Sequence, residues 1–313
     1  MSDKVLVCGS VAFDTIAVFE DHFSKHILAD NIHSLSVSFF VPGLRKEYGG
    51  CAGYISYSLK KLGAHPMPVG TLGIDSDDYL AYMRELNIDT QLIRILPDMF
   101  TPQCFITTDL DNNQIASFHP GAMLRSAEND LTGHNAAWGI VAPDSKDAMF
   151  AHAQRLRDQG IPFVFDLGQA MPLFEGQDLE NMLTLAQILT ANEYEASVIE
   201  QHTGRSMKQI ATTLQAVIVT NGARGATLYA NDDVVTIAPV VPTEIVDPTG
   251  CGDAHRAGLL YGLVKGWDLY DACCLANIMG SIKIASRGPQ NHDISLQGIT
   301  AALKQHYGLV RSF

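Results

Sequence analysis

Along most of the chain, short apolar runs alternate with longer stretches whose apolar residues recur at helical spacing. Runs at 5–7, 67–72, 139–142, 162–166, 188–191 and 217–220 are nearly continuous in hydrophobicity and read as buried strands. Stretches at 147–159, 195–203, 207–214, 254–265 and 269–286 read as helices. So does 53–62, where Ala52, Ile55, Leu59 and Leu62 fall on one face. Strands apolar on both faces, separated by helices, predict a parallel sheet covered on each side: an α/β three-layer sandwich. Ligands in such sheets sit at the carboxyl ends of strands, where this sequence places Asp166, Asn192, Thr220 and Asp247.

Two segments break the layer pattern. In the first, about residues 15–45, the clearest strand is 36–41. In the second, about residues 100–118, two runs flank a turn at 109–113, which predicts a hairpin. Together they predict a small accessory β-sheet inserted twice into one domain spanning 1–313, as a mobile cover or as an edge or dimer surface.

Composition narrows the function. A chain of 313 residues, 47% hydrophobic and 18% charged, has ample core for one large domain. With 34 acidic and 21 basic residues its formal charge is −13, a field that repels nucleic acid and anionic lipid and excludes both as partners. Six cysteines show no C-x-x-C spacing and predict reduced thiols. The sequence enters a strand at once, with no signal-peptide layout, and no apolar run approaches the roughly 18 residues of a membrane span. A cytoplasmic protein is expected.

The chemistry concentrates in Asp247-Pro248-Thr249-Gly250-Cys251-Gly252-Asp253, a turn and glycine-bracketed loop opening an apolar helix. Successive amides there, capped by a helix N-terminus, form an anion site without a basic side chain. Asp253 beside it is either a plain helix cap or a base that deprotonates a hydroxyl while the amides of Gly250, Cys251 and Gly252 hold a transferring phosphoryl group. Signatures of competing chemistries are missing: H-E-x-x-H, the P-loop, G-x-S-x-G and a G-x-G-x-x-G after the first strand.

With these residues, the chain resembles the ribokinase-like (PfkB) family of carbohydrate and nucleoside kinases. The 247–253 segment is similar to that family's C-terminal signature. Gly49-Gly50-Cys51-Ala52-Gly53, with Gly70-x-x-Gly73-x-Asp75 after it, matches a second motif nearly 200 residues earlier. The resemblance implies a parallel α/β sandwich with a small β lid, ATP as donor, Mg2+, and Asp253 as base. It implies that Asn192 and Glu195 organise Mg2+ and phosphate through water, although an Asn cap fits the same letters. Thr220, Gly222, Arg224 and Gly225 match a turn along the nucleotide, and Asn277 matches a position near the adenine. Asp247 and Thr249 match positions that in several members support a monovalent cation, K+.

For the acceptor, Asp14 matches a carboxylate that grips vicinal hydroxyls, with Gly49 and Gly50 beside the same ring. Tyr54 departs from the family, which usually has Asn there. Eight of thirteen Phe residues lie in the first 120 positions, Phe105 and Phe118 among them, and aromatic faces favour a nucleobase. The run from Phe118 to Met123 resembles the adenosine kinase branch. The expectation is phosphorylation of a nucleoside 5′-hydroxyl, adenosine first; a sugar such as ribose or fructose is the alternative. Monomer and homodimer both stay open.

Overall fold

The computed structural model describes residues 3–27, 36–111 and 113–313. β1 (Lys4–Cys8) starts the main sheet, and β2 (Ala12–Val18) and β3 (Gly43–Gly49) start a smaller one. Helix α1 (Cys51–Lys61) leads to β4 (His65–Gly73), and α2 (Asp77–Glu85) to β5 (Ile93–Leu96) at the main-sheet edge. β6 (Gln103–Thr108) and β7 (Gln114–His119) complete the small sheet. Regular alternation follows: β8 (Trp138–Val141), α3 (Lys146–Asp158), β9 (Phe163–Asp166), α4 (Gly176–Leu185), β10 (Ile188–Asn192), α5 (Glu193–Thr203), α6 (Met207–Ala211) and β11 (Ala216–Thr220). The chain ends with β12 (Ala226–Ala230), β13 (Asp233–Ile237), α7 (Cys251–Val264), α8 (Leu269–Ile284) and α9 (Leu296–Tyr307).

The main sheet has the order β13-β12-β11-β10-β9-β8-β1-β4-β5. Its pairs from β11 through β5 are parallel; β12 and β13 add an antiparallel edge that the sequence reading did not foresee. Alternating side chains of the same strands feed two cores. Val5, Val7, Ile140, Ile188 and Ile218 face one, with α1, α7, α8 and α9. Leu6, Val141, Phe165, Leu189 and Val217 face the other, with α3 to α6. That division is why the strand runs are apolar throughout.

The small sheet has the order β3-β2-β6-β7, with β2–β6 parallel and the outer pairs antiparallel. The hairpin falls where the sequence placed it, although Asn112 in its turn lies outside the described residues. Of the 15–45 segment, 28–35 lie outside them too. The expected strand at 36–41 does not form: those residues carry no regular structure, and strand β3 starts at Gly43. Phe39 instead packs on Phe19 (4.8 Å between centroids) and Phe23 (5.0 Å), so its hydrophobicity serves a local cluster. All six cysteines are free. Among the described residues no helix is long and apolar enough to cross a membrane.

Candidate active site

Where β9, β10 and β11 end and α7 begins, a cavity of about 600 Å3 opens. Its lining includes Asp166, Asn192, Glu195, Thr220 and Gly222 from the strand ends and Gly252, Asp253 and Arg256 from α7. The sequence rule for strand ends therefore holds at three consecutive strands but not at Asp247, which directly follows no strand and does not line the cavity.

Gly250 caps α7 in a left-handed conformation (φ 78°), which a side chain would strain, and its α-carbon faces Pro289 and the Tyr54 ring. The amides of Cys251 and Ala254 donate to the carbonyls of Pro248 (3.1 Å) and Gly250 (2.9 Å). The Gly252 amide has no protein acceptor among the described residues, and Gly252 lines the cavity. The anion site is thus narrower than the sequence suggested: Cys251 closes the turn and offers no free N–H, and neither Gly250 nor Cys251 reaches the lining.

Asp253 is half-buried in the first turn of α7 and faces the cavity. Burial pushes its carboxyl pKa up to about 7; the Arg256 charge pulls it down and Asp166 pushes it up. A carboxyl poised there takes a proton at neutral pH more readily than an ordinary Asp. The helix dipole favours an incoming anion at the same place.

Arg256 was not foreseen as a site residue. One turn after Asp253, it is buried and forms a fork to Asp166: Nε to Oδ2 and Nη2 to Oδ1, both 2.8 Å. Its Nη1 donates to the Gly252 carbonyl at 3.2 Å and Nη2 lies 4.0 Å from Glu195. An Arg one turn after Asp253, in a helix whose remaining eight positions to Val264 are Ala, Gly, Leu, Tyr and Val, was the signal that could have found it.

Asn192 and Glu195 form a reciprocal cap on α5. The Glu195 amide donates to Asn192 Oδ1, and the Asn192 amide and Nδ2 donate to the two Glu195 oxygens, all at 2.8 Å. The cap reading is therefore realised, and both residues also line the cavity. Burial and the neighbouring Asp166 raise the Glu195 pKa. That excess of carboxylate is what a hard, hydrated cation would relieve, so this oxygen-only donor set fits Mg2+.

Other expected nucleotide contacts lie elsewhere. Arg224 pairs with Glu193 on the exposed rim, and Gly225 turns the chain into β12. Asn277 is buried and donates to the carbonyls of Ile237 (3.3 Å) and Ala238 (2.9 Å), bracing α8 on β13. None of the three lines the cavity.

A second cluster stands at the start of α1. Gly50 has φ 85° with its α-carbon against the Ser10 carbonyl, and Gly49 packs on the Asp14 carboxylate. The Tyr54 hydroxyl donates to Asp14 Oδ2, which answers where the unusual Tyr points. Burial raises the Asp14 pKa, Tyr54 opposes this, and Glu47 adds to it. The two clusters adjoin: Cys51 lines the cavity next to Gly50, and the space a side chain at Gly250 would enter is bounded by the Tyr54 ring.

Register decides which aromatics share the Asp14 face. Asp14 pairs with Cys104, and Cys104 with Phe118, so all three project from one side of the small sheet. Phe105 pairs with Thr15 and Ser117 and projects from the opposite side. Phe105 therefore does not share the Asp14 face. Phe13 is in the core, and Phe19, Phe23 and Phe39 are spent on one another.

The chain as a whole is similar to known proteins. A family model described as pfkB family carbohydrate kinase matches residues 3–295. A nucleoside kinase from Methanocaldococcus jannaschii is 27% identical over 273 residues, 87% of this chain and 90% of that protein. The structure of Burkholderia thailandensis nucleoside kinase in complex with inosine is 42% identical, covers 98% of this chain and 99% of that one, and superimposes with a TM-score of 0.89. The same enzyme in complex with ADP-inosine gives 43%, 98%, 97% and 0.86.

Proposed function

The chain belongs to the pfkB family of carbohydrate kinases, and from that premise we propose that it transfers the γ-phosphoryl group of ATP to the 5′-hydroxyl of a purine nucleoside. The observation that carries this reading is the Asp253 carboxyl, poised near neutrality at the wall of a cavity beside the Gly252 amide. Asp253 takes the proton of the acceptor hydroxyl as that oxygen attacks the γ-phosphorus. The Gly252 amide and the start of α7 meet charge on the equatorial oxygens, as phosphoryl transfer requires. Arg256 holds a fixed positive charge behind them. Mg2+, held through water by Glu195 and Asn192, would neutralise the phosphates.

Asp14 is the group suited to a ribose diol, since one carboxylate offers two acceptor oxygens. Phe118, on its side of the small sheet and half exposed, is placed to stack on a base. The small sheet then works as a lid on a single domain, closing over the acceptor and excluding water. The relatives named nucleoside kinases favour this acceptor class, and inosine is what the Burkholderia enzyme holds. Adenosine and inosine differ at the 6-position of the purine, which neither Asp14 nor a stacking ring reads, so both are expected to react.

ADP release measured with adenosine, inosine, ribose and fructose tests the proposal. Turnover is expected with both nucleosides and at most weakly with the sugars. Turnover confined to sugars overturns the nucleoside assignment, and none with any acceptor overturns the catalytic one.

A further inference from the structure

Lys283 lies in the last turn of α8 and is 0% exposed. Its Nζ donates to the backbone carbonyls of Asp247 and Ser286, each at 3.0 Å. A buried ammonium is costly unless it is bonded in this way. The place matters, because Asp247 begins the anion loop. The Val246 and Asp247 amides both donate to the Ile284 carbonyl, at 2.9 and 3.1 Å. The Asp247 carboxylate accepts the amides of Thr249 and Gly288, each at 2.9 Å. The anion loop is thereby fastened to the end of α8, with Lys283 at the joint.

Backbone carbonyls gathered round one point are also how proteins hold K+. Family resemblance implied such an ion here, supported by Asp247 and Thr249. The ion does not fit here: Lys283 Nζ stands where the Asp247 and Ser286 carbonyls converge, so an ammonium already supplies the positive charge at that point.

We propose that Lys283 is a built-in cation, a tethered ammonium that positions the anion loop through the Asp247 and Ser286 carbonyls, so that the enzyme needs no K+. Lys283 is buried and does not line the cavity, so its role is that of a positioning residue. A lysine that merely caps α8 would satisfy the same carbonyls, and cation rescue separates the two roles.

The test compares wild type, Lys283→Ala and Lys283→Met in K+ and in tetramethylammonium at equal ionic strength, by kcat and by melting temperature without substrate. Wild type is expected to be indifferent to the exchange in both readouts. Lys283→Ala, which removes the charge and opens space, should lose roughly 10- to 100-fold in kcat without K+, the range for losing hydrogen bonds from a charged donor. K+ should restore most of that loss and raise the variant's melting temperature. Lys283→Met, uncharged but space-filling, should be impaired and stay insensitive.

A wild type activated severalfold and stabilised by K+ overturns the proposal. So does an impaired Lys283→Ala that K+ neither reactivates nor stabilises. Should Lys283→Ala not fold, Lys283→Ser, small and polar, takes its place in the rescue comparison. The activity arm rests on the kinase reading; the thermal arm does not, so failure of one is distinguishable from failure of the other.

Discussion

Arg256 and Asp166, ninety positions apart, meet as a two-pronged ion pair whose side chains are 6% and 5% exposed, directly behind the catalytic loop. The pair joins the end of β9 to the first turns of α7, so it fixes the strand-end floor relative to the helix that carries Asp253. Removing one partner strands a buried charge, whereas replacing both with apolar groups does not. Asp166→Leu should therefore cost roughly 3–5 kcal/mol of stability in urea denaturation. Asp166→Leu combined with Arg256→Met should recover much of that loss while activity stays low.

The Asp253 pKa of about 7 predicts a pH profile. A base must be ionised, so log kcat/KM should rise with unit slope to about pH 7 and level off above it. Asp166→Asn removes a negative neighbour and should move the break to lower pH. Stability runs the other way. A carboxyl pKa raised from 3.8 in the folded state means that the folded chain binds the proton more tightly, so its contribution declines as pH rises between those two values. Asp253→Asn should accordingly melt higher than wild type at pH 8, and the gain should vanish as pH falls toward 4. A gain that grows toward acid pH would contradict the burial of this group.

Tyr54 donates to Asp14 Oδ2, one of the two oxygens that Asp14 would offer a diol. Substrate must compete with that hydroxyl, so Tyr54→Phe should lower the nucleoside KM roughly three- to tenfold, the net scale of one ordinary hydrogen bond. The turnover number should change little. A raised KM would mean that the hydroxyl orients Asp14 for substrate instead.

The register of the small sheet separates its two exposed phenylalanines. Phe118→Ala should raise the nucleoside KM roughly 5- to 100-fold, as expected when a base loses its stacking partner. Phe105→Ala, on the other face, should leave KM close to wild type. Steady-state kinetics on the two single variants decides, and equal effects would contradict the facing inferred from the strand pairing.

How much of this was legible depended on whether local letters or distant partners fix each feature. Buried strands such as Leu189 and Val217 announce themselves because both faces need apolar residues, and the glycines around Cys251 mark a loop whatever surrounds it. Strand β3 was hidden: Leu44 to Tyr48 is mostly polar because the small sheet is half exposed, while the aromatic run before it looked more strand-like. Asp253 could be read from its neighbours, but the loss of the Cys251 amide to Pro248 could not, since a turn hydrogen bond leaves no mark on composition. Partners such as Asp166 for Arg256, or Asp14 for Tyr54, lie tens of residues away and become visible in three dimensions alone. The acceptors that Arg224 and Asn277 meet, Glu193 and the Ala238 carbonyl, were invisible for the same reason.

The proposed catalysis depends most directly on Asp253, and the measurement that tests it is the single-turnover rate of Asp253→Asn with ATP and nucleoside, alongside ATP binding by calorimetry. Loss of a general base predicts a rate lower by roughly 10²–10⁴ with ATP affinity retained. A variant that phosphorylates nucleoside at the wild-type rate would contradict it.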